Sequence, residues 1–199
     1  ALLLYLYEQG YRNVLFFVNS STIIDKTRRN FLECGCSKYL FADKTVINQK
    51  PLQIREVDNF QSVNSFDLNI VFCTIQGLHT ALNNPRENGL TIDDFNDHRV
   101  LLISDEAHHI NAETKKGKAD TSDVQQATWE STVNKILAAN KHNLLLEFTA
   151  TTDFSCAEIA AKYNEKVMFD YPLKQFRIDG YSKEVKVLQS NLQPFERAL

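Results

Sequence analysis

Glycine and proline are scarce, with six and four among 199 residues. That excludes long flexible or proline-rich linkers. Cysteine is limited to Cys34, Cys36, Cys73 and Cys156. None forms a CxxC pair and no set has zinc-ligand spacing, so free thiols in a reducing cytoplasm are expected. No apolar run reaches the roughly 18 residues that span a bilayer, so no membrane partner is expected. The apolar start, Ala1 to Tyr7, lacks the basic flank and small-residue cleavage site of a signal peptide. Neither charge dominates: 22 Lys and Arg face 25 Asp and Glu, for a net −3. A strongly basic domain would have pointed to nucleic acid, whereas near-neutrality leaves room for a local basic groove. Two catalytic loops are also missing. Without a Gly-x-Ser-x-Gly turn, Ser20, Ser21 and Ser155 are not set up as nucleophiles. There is no G-x-x-x-x-G-K-[ST] phosphate loop either, since Gly117-Lys118-Ala119 lacks the Ser or Thr and follows no strand.

What is present is an alternation of buried strands and helices. Ala1 to Gly10 reads as a helix end with Gly10 as its C-terminal cap. Val14 to Val18 and Val100 to Ile103 are continuous β-prone apolar runs, as in strands buried on both faces. Ile70 to Cys73 and Leu144 to Phe148 have the same character. Leu52 to Val57 and Lys166 to Asp170 are further strand candidates. Helices are expected over Thr22 to Glu33, after Thr74-Ile75-Gln76-Gly77 to about Leu82, over Val124 to Asn140 and from about Ser155 to Tyr163. Asn83 to Asp97 reads as loop, with Asn84-Pro85 and Asn88-Gly89 as turn signals. The apolar stripe Trp129, Val133, Ile136 and Leu137 assigns Trp129 to the core. Strands alternating with helices predict an α/β fold, a mainly parallel sheet with helices on both faces.

In such sheets, ligands bind beyond the C-terminal ends of the strands. Each expected strand ends in small or acidic polar residues: Asn19-Ser20-Ser21, Thr74-Ile75-Gln76-Gly77, Asp105-Glu106 and Thr149-Ala150-Thr151. The densest cluster is Asp105-Glu106-Ala107-His108-His109. One carboxylate past a buried strand can hold hydrated Mg²⁺. A second beside it can orient or deprotonate an attacking water. Lys26, Arg28 and Arg29, and Lys115, Lys116 and Lys118, read as solvated faces with a backbone groove as the alternative. His109 and His142 read as solvated rather than as metal ligands.

The run Ser104-Asp105-Glu106-Ala107-His108 resembles motif II, the Walker B box of DEAH-type superfamily 2 helicases. Thr149-Ala150-Thr151 resembles their motif III, and Phe17 to Ser21 sits where motif Ia lies. Thr74 to Leu78 resembles the later strand-end motif that touches the nucleic-acid backbone. All four occur in family order. "LISDEAHH", "FCTIQGLH", "LLEFTATTD" and "YPLKQFRIDGYSKEVKVL" are similar to the ATPase-helicase (Res) subunit of type III restriction enzymes. The resemblance implies a RecA-like three-layer α/β/α sandwich and an ATP-dependent helicase or translocase on duplex DNA. It also implies ATP and Mg²⁺ as cofactors, and a modification (methyltransferase) subunit as partner. DNA rather than RNA rests on the subfamily resemblance alone. Asp105 would hold Mg²⁺ through water, with Glu106 beside it as base or water-orienting group. His108 would couple the nucleotide state to Thr149, Ala150 and Thr151. Asn19, Ser20, Ser21, Thr74, Gln76 and Gly77 would face the phosphodiester backbone.

The missing phosphate loop departs from that pattern. It predicts a piece of a longer protein: residues 1–171 as a partial first motor domain and 172–199 as an exit segment toward a second one. ATP and Mg²⁺ binding by the piece alone is expected to be weak or absent, and its ATPase unmeasurable. Two other readings stay open. One is a catalytically silent nucleic-acid-binding or regulatory module with the motor fold. The other is a metal-dependent phosphoesterase using Asp105, Glu106, His108 and His109.

Overall fold

The computed structural model describes residues 1–42, 44–107, 121–150 and 154–182. The chain divides into two compact units, Ala1–Lys162 and Tyr163–Leu199.

The first unit is built on a five-stranded parallel sheet. Its strands are β1 (Asn13–Val18), β4 (Ile54–Glu56), β5 (Leu68–Thr74), β6 (Val100–Ser104) and β7 (Leu144–Glu147). They lie in the order β4-β5-β1-β6-β7, and every neighbouring pair is parallel. All six residues of β1 are buried, as its continuous apolar run requires of a central strand covered on both faces. Pleating sends alternate residues to opposite faces. Leu15 and Phe17 join Val71, Val100 and Leu102 in one core. Val14, Phe16 and Val18 join Ile70, Phe72 and Leu101 in the other.

Helices cover both faces. On the first lie α3 (Ile75–Asn83), α4 (Ile92–Asp97) and α5 (Thr121–Ala139), which supply Leu78, Phe95, Val133 and Ile136. Trp129 and Leu137 pack against that core. On the second lie α1 (Leu2–Glu8) and α2 (Ser21–Leu32), which supply Leu6, Tyr7 and Ile24. The result is a three-layer α/β/α sandwich with a RecA-like parallel sheet. Gly10 ends α1 as expected. Its φ of +98° lets its N–H reach Tyr7 O at 3.0 Å while Tyr11 N–H reaches Leu6 O at 3.0 Å, the paired bonds of a glycine C-cap.

The structure differs from the sequence reading in three places. Asn83 to Asp97 is not all loop, because α4 forms in its second half. Asp94 is buried and accepts the backbone N–H of Thr91 (2.8 Å) and of Phe60 (2.7 Å), so one carboxylate caps α4 and clasps a distant loop. Lys166 to Asp170 is not a strand and carries no regular element. A short helix, α7 (Leu173–Ile178), follows it in the second unit. In the unassigned stretch before β4, β2 (Val46–Ile47) and β3 (Lys50–Pro51) form a two-stranded hairpin. It turns through Asn48 and Gln49, both at positive φ. The last helix of the first unit is α6 (Ala157–Tyr163).

Candidate functional site

A parallel sheet puts all C-terminal strand ends on one edge. The register pairs Val18 with Thr74, Phe17 with Ser104 and Ser104 with Glu147. The polar residues that follow β5, β1, β6 and β7 therefore form one row. Thr74, Gln76 and Gly77 stand at one position, and Asn19, Ser20 and Ser21 at the next. Asp105 and Glu106 follow, then Thr149 and Ala150. His108 and Thr151 lie outside the described residues, as do His109 and Lys115 to Lys118.

The acidic turn is fixed by both neighbouring strands. Asp105 N–H donates to Phe17 O at 3.3 Å, and Ala107 N–H donates to Phe148 O at 3.0 Å. Phe148 N–H returns a bond to Ser104 O at 2.8 Å. Asp105 Oδ1 accepts the N–H of Glu106 at 3.0 Å. Ala107 is buried, while Asp105 and Glu106 are half-buried. Glu106 sits at φ +53°, the left-handed region where a residue with a Cβ costs about 1–3 kcal/mol and persists only when its surroundings impose it. Ser104 is fully buried, and its hydroxyl has no hydrogen-bond partner among the described residues. Glu147, at the end of β7, is a third carboxylate on this edge that the sequence reading did not single out.

The Thr74 end is built differently. Here β5 runs into α3 without a loop, and Thr74 Oγ1 caps the helix by accepting Gly77 N–H at 3.1 Å. Glycine at 77 eases that approach, because a Cβ there would stand 3.2 Å from Thr74 Oγ1, tighter than ordinary contact. Gln76 and Gly77 are exposed. Beside them lies a groove of about 420 Å³, lined in part by Arg28, Glu56, Asp58, Phe72, Cys73 and Gly77. Arg28 is already paired, to Asp25 and Glu56 at 2.8 Å each, and Arg29 to Glu33 at 3.1 Å. Glu33 raises the Arg29 guanidinium above its ordinary value, by hydrogen bond first and charge second. Burial pushes the Cys73 thiol up to about 12.

His142 is exposed in the turn before β7. Among the described residues, no group of three or more His, Cys, Asp or Glu is arranged to hold a metal ion. The oxygens of Asp105 and Glu106 nevertheless suit Mg²⁺. That ion usually takes one or two carboxylates and completes its shell with water and phosphate rather than with an all-protein cage.

The sequence reading also passed over several polar links that tie the helices to one another and to the sheet. His79 Nδ1, on α3, lies 2.7 Å from Thr132 Oγ1, on α5. Glu130 of α5 pairs with Lys162 of α6. Asn143 ties β6 to α5: its Oδ1 accepts Val100 N–H at 2.9 Å, and its Nδ2 donates to Ile136 O at 2.9 Å.

A parallel α/β sheet with helices on both faces and an acidic turn at the end of an interior strand defines the class: an α/β domain with a RecA-like fold. The comparisons narrow it. The model of the family described as "Type III restriction enzyme, res subunit" matches residues 1–154, and the chain belongs to that family. The chain is similar to the probable type III restriction-modification enzyme HindVIP Res subunit of Haemophilus influenzae, 37% identical over 217 aligned residues. The match covers 100% of this chain and 42% of that relative, so the chain spans under half of its relative's length. No solved structure matches the chain significantly.

Proposed function

We propose that this chain is the first motor domain of an ATP-driven translocase on duplex DNA, within the Res subunit of a type III restriction enzyme. The observation that carries the reading is the Asp105–Glu106 turn, set in one row with the Thr74, Asn19 and Thr149 strand ends. Asp105 is the Mg²⁺-holding carboxylate, mainly through water, with Glu106 beside it. When bound, the ion supplies charge neutralisation on the phosphates of ATP. Glu106 orients or deprotonates the attacking water. Its left-handed backbone, between neighbours bonded to Phe17 and Phe148, fits a carboxylate held for chemistry rather than for stability.

Roles for His108, Thr149, Ala150 and Thr151 in relaying the nucleotide state rest on their match to the family motifs. Asn19, Ser20, Ser21, Thr74, Gln76 and Gly77 form the face toward the phosphodiester backbone, where polar contacts grip without reading sequence. The proposal places residues 1–171 in the motor domain and 172–199 in an exit segment toward a second motor domain. The relative's name as a restriction-modification Res subunit supports a modification subunit as partner. A cytoplasmic location fits free thiols, and no described helix is long and apolar enough to cross a membrane.

The 199 residues hold no G-x-x-x-x-G-K-[ST] loop, and a phosphate cradle is a precondition for turnover. By themselves they are expected to hydrolyse no measurable ATP. The test is Mg²⁺-dependent ATPase of the full-length protein with and without duplex DNA. DNA-stimulated hydrolysis that disappears in Glu106→Gln supports the reading. Equal turnover by residues 1–199 alone, or a metal-dependent nuclease activity lost in Asp105→Ala, contradicts it.

A further inference from the structure

The DNA-facing end at Thr74 and the acidic end at Asp105–Glu106 sit two strands apart, with β1 between them. Behind the sheet edge, the helices that belong to these ends, α3 and α5, pack on one another. Their contact is mostly apolar: Leu78, Val133 and Ile136 are buried, and Leu82, Trp129 and Leu137 pack beside them. Apolar surfaces attract without direction, so they tolerate small shifts of one helix along another. Among the described residues, a polar link crosses this contact, with His79 Nδ1 2.7 Å from Thr132 Oγ1.

Both partners are placed for that link. Thr132 is buried in the interior of a 19-residue helix, a position where threonine is disfavoured unless its hydroxyl has a use. The His79 ring is steered from its own helix. Asn83 Nδ2 donates to His79 O at 2.7 Å and lies 3.1 Å from His79 Nδ1. Each helix is in turn tied to the sheet, α3 at the Thr74 end and α5 at the opposite edge. Thr74 is both the last residue of β5 and the cap of α3. Asn143 fixes α5 to the start of β6 and precedes β7, whose following residue Phe148 holds Ser104 and Ala107.

We propose that His79 and Thr132 are a positioning pair that sets the register of α3 against α5, and so couples DNA contact at Thr74–Gly77 to hydrolysis at Asp105–Glu106. The inference rests on the motor reading of those two ends. A directional bond within a mostly apolar contact favours one register among several of similar packing energy. Neither residue touches DNA or nucleotide in this scheme, so both act through the helices they join.

The test uses the full-length protein and reads basal ATPase, the ratio of DNA-stimulated to basal ATPase, DNA affinity and melting temperature. His79→Ala and Thr132→Val should each lower the stimulation ratio about fivefold, the lower end of ordinary site-to-site coupling, with basal rate and DNA affinity held within about twofold. The double variant should lose no more than either single one, and Thr132→Ser, which keeps the hydroxyl, should restore the ratio. Leu82→Ala loosens the same contact without touching the bond and should leave the ratio unchanged. The proposal is overturned if Thr132→Val keeps full stimulation, if the two losses add, or if Leu82→Ala lowers the ratio as much. If unaltered protein shows no stimulation, or Glu106→Gln leaves hydrolysis intact, the motor reading itself fails and the pair's role falls with it.

Discussion

The ends of β5 and β6 lie on the same edge of the same sheet, yet they are held by opposite means. At β5 the chain enters α3 directly, and Thr74 supplies its own cap to Gly77 N–H. The cap that shapes that end comes from within four residues, while its strand is paired to β1 as far as Val18–Thr74. At β6 the turn is fixed from outside, by Phe17 of one neighbouring strand and by Phe148, which follows the other. Those contacts hold Glu106 at φ +53°, a conformation its own sequence does not favour. A self-contained end suits a surface that must only present groups. An end imposed by its neighbours suits a carboxylate whose position has to be exact at some cost in stability.

The largest expected effect separates the two ends by chemistry. Glu106→Gln keeps the shape of the side chain and removes its basicity, so DNA-stimulated ATPase of the full-length protein should fall by about 10²–10⁴. Its DNA affinity, measured by titration of labelled duplex, should not change. A parallel loss of both would merge the two ends into one function. The next effect concerns the self-contained end. Thr74→Ala removes the cap of α3 and should lower stability by about 1 kcal/mol in urea denaturation. A cost near zero would mean that α3 is held by its apolar face alone.

The parts of this architecture legible in the sequence are those that depend on burial. β1, β5, β6 and β7 announce themselves as continuous apolar runs because both sheet faces are covered, and parallel topology then forces their polar ends into one row. Short or imposed features are less visible. α4 spans six residues inside an Asn- and Asp-rich stretch that reads as loop. Its one signal was the capping pattern Thr91-x-x-Asp94. Val167, Met168 and Phe169 have the composition of a strand, but β-propensity describes fit to a neighbouring strand, and among the described residues none pairs with them. The backbone of Glu106 is not signalled by its local sequence: the bonds that hold its two neighbours come from Phe17 and Phe148, 89 and 42 positions from it. The same holds for His79 and Thr132, which are 53 positions apart.

A smaller effect tests whether Glu106 is held against its own preference. Glycine accepts positive φ without a Cβ clash, though it adds entropy to the unfolded chain. The two terms partly offset, so Glu106→Gly should raise stability by about 0.5 kcal/mol while removing hydrolysis. Loss of stability in that variant would show that the Glu106 side chain contributes more to the fold than its backbone costs.

The smallest effect at neutral pH belongs to Cys73, the residue before Thr74. Burial raises its thiol from an ordinary 9.0 to about 12, so the folded chain holds the proton more tightly than the unfolded one. The sign follows from linkage: the contribution is fully present below about pH 9 and is lost as pH rises toward 12, where the unfolded chain alone ionises first. Stability should therefore be insensitive to this group between pH 6 and 8, measured as the difference between unaltered protein and Cys73→Ala. Above about pH 9 the unaltered protein should lose stability more steeply than the variant. Equal slopes across that window would mean that the folded chain does not raise the Cys73 thiol above its ordinary range.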